Sequence, residues 1–422
     1  MDQKSVMLLQ LLSLTLLPVG TSEDPRRNVL FIISDDLRTS LGCYGDAVVR
    51  SPNIDQLASH SHVFLNAYAQ QAVCAPSRTS LLTSRRPDTT RLYDFNSYWR
   101  KQAGNYSSLP QYHKEHGYQT RSYGKVFHQG IASNHTDDFP LSWTVPVFHP
   151  ESLYYEKKKV CRGADGQLHA DLLRRVSWSL GEHGEWAKYS NFDVATRVPL
   201  MFYVPGVTDK NSRKNSRKNS RKFQFIDVFG PTKSFINGQE SENMVELLDI
   251  FPTLVHFSGL KVPKPCPEVS FQVELCREGQ NRANDFYHQE KRINREQIAF
   301  SQYPRPSDTP QLNSDLPDLG DVRVMGYSMR SWDYRYTLWL GFDPKTFQVN
   351  VSDVHAGELY LLDSDPGQDH NVYEPDVTTT TTTTTTTAQT HTTNTTLNVS
   401  VWERLKLQMF HLKHKLRTGG KR

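Results

Sequence analysis

The run Asn28-Val-Leu-Phe-Ile-Ile-Ser34 constrains the fold more than any other stretch of the chain. Consecutive apolar residues between polar ends predict a strand buried on both faces, the kind found inside parallel sheets with helices on either side. The run ends at Asp35-Asp36. Ligands of open α/β sheets gather outside the carboxyl ends of strands, so these carboxylates stand where a site belongs. Adjacent carboxylates are costly together unless a cation neutralises them. The pair offers hard oxygen ligands for Ca2+ or Mg2+; the plainer alternative is a turn followed by a helix cap.

A second stretch adds chemistry: Cys74-Ala-Pro-Ser-Arg78-Thr-Ser-Leu-Leu-Thr-Ser-Arg85, preceded by a predicted strand at Val63–Ala69. Pro76 fixes its own φ and restricts Ala75, which predicts a stiff, non-helical platform for Cys74 at the mouth of a helix running on from Ser77. A helix N-terminus suits an anion, and Arg78 adds a full charge beside it. A buried cysteine next to a capped helix is the alternative. Further helices are predicted at Ser51–Ala58 and Ser108–His116. The strand-like Tyr118–Tyr123 leads into Gly124-Lys125-Val-Phe-His128, and a polar loop, Gly181–Tyr189, carries Lys188. Arg197–Gly206 reads as a buried strand. Glu242–Leu260 shows helical spacing, broken at Pro252 and stopped at Gly259. Val324–Gly341 reads as an antiparallel hairpin in a smaller second unit, with a further strand at Glu358–Leu362.

Val6–Leu17 is mostly apolar after Lys4 and is followed by small residues, a secretory signal peptide too short to span a bilayer. No other uncharged run reaches membrane length, so no transmembrane segment is expected. Sequons at Asn105, Asn134, Asn350, Asn394 and Asn398 fit the same route, and the first three are expected to carry glycans. Of five cysteines, Cys266 and Cys276 are near enough in sequence to close a small disulfide loop. Cys43 and Cys161 have no obvious partners. The net charge of +4 is concentrated in a three-fold Asn-Ser-Arg-Lys repeat at 211–222 and in the tail beyond Val401. The rest of the chain is net acidic, which argues against a general nucleic-acid binder. Residues 377–422 form a Thr-rich low-complexity segment and a basic amphipathic tail.

Together these pieces resemble the sulfatases of the alkaline-phosphatase superfamily. The resemblance rests on Asp35-Asp36, Ser51-Pro-Asn-Ile-Asp-Gln-Leu57, Cys74-Ala-Pro-Ser-Arg78, Arg85–Asn96, Gly124-Lys-Val-Phe-His128, Asn134–Asp138, Gly181–Lys188 and Ser301–Asp308. It covers most of residues 28–173 and 178–373. It implies an α/β fold: an alkaline-phosphatase-like mixed, largely parallel sheet flanked by helices, truncated here, plus a small C-terminal α+β subdomain with an antiparallel sheet. The catalytic domain is then expected at 23–265 and the subdomain at 266–376.

The resemblance also implies the chemistry. Cys74 becomes formylglycine, made by the formylglycine-generating enzyme during secretion, and its hydrate supplies an oxygen nucleophile. Asp35, Asp36 and residue 74 hold one Ca2+. Arg78 and Lys125 clamp the anion, His128 moves a proton, and Lys125 and Lys188 contact the sulfate. The implied substrate is a sulfated glycosaminoglycan, with removal of the 2-O-sulfate from iduronate in heparan and dermatan sulfate, and the implied destination is the lysosome.

Three departures stand beside it. The family's second metal pair falls where this chain has Arg175, Val176 and Ser177. A large central segment, including a second histidine, is missing between Leu173 and Trp178. The motif's usual Leu-Thr-Gly is Leu82-Thr83-Ser84 here. They give an alternative reading, a secreted sulfatase-like isoform with impaired catalysis.

Overall fold

Two sheets organise the computed structural model, which describes residues 26–149, 161–162, 167–169, 179–208, 239–267, 270–287, 296–309, 311, 314–374 and 405. The expected signal peptide, the Leu173–Trp178 junction, the basic repeat, the threonine tract and all of the tail but Leu405 lie outside the described residues. In chain order the elements are α1 (Pro52–Ala58), β1 (His62–Tyr68), α2 (Cys74–Thr83), α3 (Pro87–Thr90), α4 (Trp99–Gln102) and α5 (Leu109–Glu115). Then come β2 (Cys161–Arg162), β3 (Leu168–His169), α6 (Asp193–Thr196), β4 (Arg197–Phe202), β5 (Gln239–Glu246) and α7 (Ile250–Phe257). The last four are β6 (Ala299–Arg305), β7 (Val324–Arg330), β8 (Tyr334–Asp343) and β9 (Gln348–Leu361).

The first sheet has the order β4-β1-β5, with β1 antiparallel to β4 and parallel to β5. It is the mixed sheet that was expected, with one parallel ladder of its two. β4 carries Pro199, which donates no ladder bond and belongs on an edge strand. A bulge in β1 between Phe64 and Ala67 is closed by the Tyr44 hydroxyl, which donates to Phe64 O at 3.1 Å and accepts from Leu200 N at 2.8 Å. Helix α2 packs against the sheet's helical layer and is buried on nearly every face, as a helix of small and apolar residues must be. The first core gathers Phe64, Ala75, Leu82, Trp99, Val245 and Phe251, and also Ala283 and Phe286 from beyond residue 265.

The second sheet is the expected antiparallel meander β6-β7-β8-β9. Its core is built on Met325, Tyr327, Met329, Tyr336 and Leu338. The two units are stitched at the loop that leaves β1: Ser301 Oγ donates to Ala69 O at 2.6 Å and Gln302 N to Gln70 O at 2.8 Å. Arg86 makes a two-pronged ion pair with Glu246 at 2.7 and 2.8 Å, and Glu246 also accepts from Phe300 N. These bonds hold the approach to Cys74 from behind. Cys266 and Cys276 form the expected disulfide, with Cα atoms 4.8 Å apart.

Five expectations give way. Asn28–Ser34 makes no ladder, and Leu30 and Ile32 are 87% and 75% exposed, because no described strand lies alongside to take its backbone bonds. Tyr118–Tyr123 makes one isolated bridge, Tyr123 to Phe148, rather than a strand. Glu242–Glu246 belongs to β5, and only Ile250–Phe257 is α-helical; pairing with β1 overrides the helical spacing. Pro252 is no break, since it sits in the first turn of α7 where a missing N–H is harmless. Helix α2, finally, begins at Cys74 itself rather than after Ser77.

Candidate active site

Cys74 is the first residue of α2, and Arg78 follows one turn later on the same face. Both are buried, at 8% and 4% exposure. Arg78 Nη1 donates to the carbonyls of Lys125 (2.7 Å) and Val126 (3.0 Å), and Nη2 donates to Asp35 Oδ1 at 2.9 Å. One guanidinium thus fastens the Gly124–His128 loop and the first aspartate to the helix. Lys125 follows Gly124, whose φ of +71° turns the chain, and its Nζ reaches Asp35 Oδ2 at 2.5 Å. Lys188 pairs with Asp36 and donates to Cys74 Sγ at 3.1 Å. The Cys74 thiol lies 3.3 Å from Asp35 Oδ1 and 3.8 Å from Asp36 Oδ1.

Three cations therefore surround two carboxylates and one sulfur. Burial alone would raise the Asp35 pKa, but Arg78 and Lys125 outweigh it and hold the carboxyl well below the usual range. Burial would lower Lys188, but Cys74 and Asp36 beside it raise it, so it stays a cation. His128 is pushed down to about 4, first by burial and then by Lys125 and Arg78. Its ring stacks on Phe95 with centroids 4.3 Å apart, and its Nδ1 is buried without a hydrogen-bond partner among the described residues.

The structure thus joins Asp35, Asp36, Cys74, Arg78, Lys125 and Lys188 by direct contacts and sets His128 in their field. Asn105, Asn134 and Asn350 are all exposed. Two braces escaped the sequence reading. Arg38 binds Glu182 at 2.9 Å, and Arg305 Nη2 donates to Tyr189 O at 2.8 Å while its guanidinium lies over Tyr303. Both hold the loop that carries Lys188. Arg305 lies in the Ser301–Asp308 run, but nothing local marks it as a brace.

Asp35, Asp36 and Cys74 are the one group of three or more potential ligands close enough to share a metal ion among the described residues, their donor atoms lying within 4.8 Å of one another. The two carboxylates suit a hard divalent cation; a thiol is a soft ligand and does not, whereas an oxygen at position 74 does. The set fits such an ion but leaves part of its coordination shell to water or substrate.

A sulfatase family model matches residues 27–177. Iduronate 2-sulfatase of Mus musculus is 43% identical over 511 residues, taking in 84% of this chain and 92% of the relative. The Homo sapiens enzyme of that name is 43% identical over 503 residues, with 82% and 91% covered. Both spans exceed the 422 residues of this chain, so each relative carries residues there without a counterpart here. Among solved structures, a phosphonate monoester hydrolase from Silicibacter pomeroyi aligns with a TM-score of 0.53 at 14% identity over 93% of this chain and 96% of its own, a likeness of fold. With identity at this level across most of its length, the chain belongs to the sulfatase family.

Proposed function

We propose that this chain hydrolyses a sulfate ester of a sulfated glycosaminoglycan, removing the 2-O-sulfate from iduronate in heparan and dermatan sulfate. The observation that carries the reading is the convergence of Arg78, Lys125 and Lys188 on Cys74 and the aspartate pair. Such a cluster neutralises a sulfate and stabilises charge that builds during its transfer. The substrate is drawn from the names of the relatives.

Residue 74 acts as formylglycine, one hydroxyl of whose hydrate gives its proton to water and attacks the ester sulfur, while the bond to the sugar oxygen breaks and that oxygen takes up a proton from water. Arg78 and Lys125 hold the sulfate oxygens, and Lys188 stabilises the departing sugar oxygen. His128, neutral at working pH, takes the remaining hydroxyl proton of residue 74, so that the aldehyde re-forms and sulfate leaves. Asp35, Asp36 and residue 74 would hold a Ca2+ ion, which would supply Lewis-acid chemistry at the sulfate. Residues 23–265 form the catalytic domain, whose core also takes in Ala283 and Phe286, and the rest of 266–376 forms the subdomain. The N-terminal apolar run and the exposed sequons support passage through the secretory route to the lysosome. No helix among the described residues is long and apolar enough to cross a membrane.

One observation favours a second reading. Ca2+ takes six to eight oxygen ligands, and the described residues bring three groups to it. An isoform of impaired turnover follows if the second pair is truly lacking. Secretion of the chain, followed by an assay on an aryl sulfate and a 2-O-sulfated iduronyl disaccharide, separates the two. Turnover that disappears in Cys74→Ala supports the hydrolase; soluble protein with aldehyde at residue 74 and no turnover establishes the impaired form.

A further inference from the structure

We infer that exposed aromatic side chains beside the anion clamp, Trp186 next to Lys188 and Tyr123 with Phe148 next to Lys125, form the platform on which the pyranose rings of a sulfated saccharide stack. This deepens the hydrolase reading and rests on it.

Trp186 is 71% exposed, Tyr123 68% and Phe148 57%. Each lysine of the clamp that reaches an aspartate has an exposed aromatic residue two positions ahead of it, within about 7 Å along the backbone. Neither aromatic sits on a slack segment. The Trp186 indole lies against Gly181, whose φ is +113° and where an added Cβ would stand 3.2 Å from the ring. The same loop is tied by Gly181 N to Glu185 O (2.9 Å), by Glu185 N to Glu182 O (3.0 Å) and by the Arg38–Glu182 ion pair. His183 stacks on Phe192 with centroids 3.7 Å apart. Across from Lys125 in sequence, the Tyr123 and Phe148 rings lie 6.0 Å apart, and their backbones are joined by Gly124 N to Phe148 O (2.8 Å) and Phe148 N to Ser122 O (3.0 Å).

Rigid presentation of large apolar faces to water is unfavourable unless a ligand covers them. The charge beside them selects the ligand. A sulfated sugar carries a localised anion on one oxygen and C–H-rich ring faces around it. The clamp matches the first and an indole or phenol face matches the second. Inorganic sulfate meets only the clamp.

The test uses the full chain in a Cys74→Ala background, so that ligand is bound and not consumed. A heparin-derived disaccharide with a 2-O-sulfated uronate is titrated against inorganic sulfate by calorimetry and tryptophan fluorescence. Trp186→Ala and Tyr123→Ala each weaken disaccharide binding about tenfold and change sulfate binding less than about twofold, while Trp186→Phe retains most of the affinity. Disaccharide affinity unchanged in both alanine variants, with Lys188→Met weakening both ligands, overturns the platform and leaves the clamp standing. Both affinities unchanged in Lys188→Met overturns the clamp and the platform with it. Melting curves confirm that all the variants, those altered at exposed rings and Lys188→Met at a buried cation, remain folded.

Discussion

Lys188 Nζ donates to the Cys74 sulfur at 3.1 Å and pairs with Asp36, so one ammonium group ties the proposed nucleophile's position to a carboxylate of the candidate metal pair. Burial works against its charge, but Asp36 and Cys74 beside it outweigh burial and keep it a cation. Replacing it with methionine keeps the length and removes the charge. Lys188→Met is expected to lower kcat/KM on an aryl sulfate by about 10²–10³, the usual cost of losing one preorganised charge donor. Lys188→Arg should lose less. Steady-state kinetics on purified variants with matched aldehyde content checks this.

As the proposed base, His128 should set the acid limb of the reaction. Burial, with Lys125 and Arg78, pushes it down to about 4 from an ordinary 6.5. A base works when neutral, and this imidazole is neutral above that value. The pH profile of kcat/KM should hold down to about pH 5 and fall as pH drops through about 4. Lys125→Met removes one of the opposing charges, so its acid limb should move upward even as activity drops. A wild-type limb centred near 6.5 would contradict the assignment of His128 as base.

Stability should respond to pH at a higher range and for another reason. His62 and His113 are both lowered, in each case chiefly by burial. His113 donates from Nδ1 to Leu109 O at 2.9 Å, and His62 stacks on Phe286. A histidine with a depressed folded pKa resists a proton that the unfolded chain accepts, so its contribution is full above the unfolded value and declines as pH falls below it. The melting temperature should fall from neutral pH toward pH 5. His62→Leu has nothing to protonate and should flatten the slope, as measured by thermal melts across the range.

Gly279 marks a close backbone crossing. A Cβ there would stand 2.1 Å from Leu248 O and 2.8 Å from Ser84 Oγ. Ser84 ends α2 in the left-handed conformation at φ 55°, with its hydroxyl donating to Leu248 O at 2.8 Å and accepting from Gly279 N at 3.1 Å. Gly279→Ala therefore has to push two backbones apart and break a buried hydrogen bond. A loss of about 2–4 kcal/mol is expected in denaturant titration. Ser84→Gly relieves the left-handed strain but strands the Leu248 and Gly279 groups, so it should destabilise by about 1 kcal/mol.

Local pattern revealed β1, α2 and the β7–β8 hairpin, because each is specified by residues close in sequence: an apolar run into a proline-marked helix, and two aromatic-rich runs around Ser331–Asp333. It failed where a distant partner decides. Asn28–Ser34 has the composition of a buried strand, yet only a neighbour can make it one. Met244 and Val245 fit a helix as readily as a strand, until the parallel pairing of Asn66 with Met244 and Ala67 with Val245 selects the strand. The clamp residues were legible as motif positions. Their geometry was not, because Arg78 is spent on the carbonyls of Lys125 and Val126, contacts that no side-chain identity at those positions encodes.

The burial of Cys74 also imposes a schedule. Its sulfur lies at the start of a helix in which all but Ser77 is buried. Another protein can reach that sulfur only while the segment is still extended, so any enzymatic change to it must be finished before the helix docks. The sheet beneath that helix joins β1 to β5 by pairing His62 with Gln239 across a long stretch of chain, and such distant contacts form slowly. For the proposed conversion of residue 74, a sheet closed by distant contacts lengthens the interval in which the sulfur is open, and the modification becomes a race between a visiting catalyst and the chain's own folding.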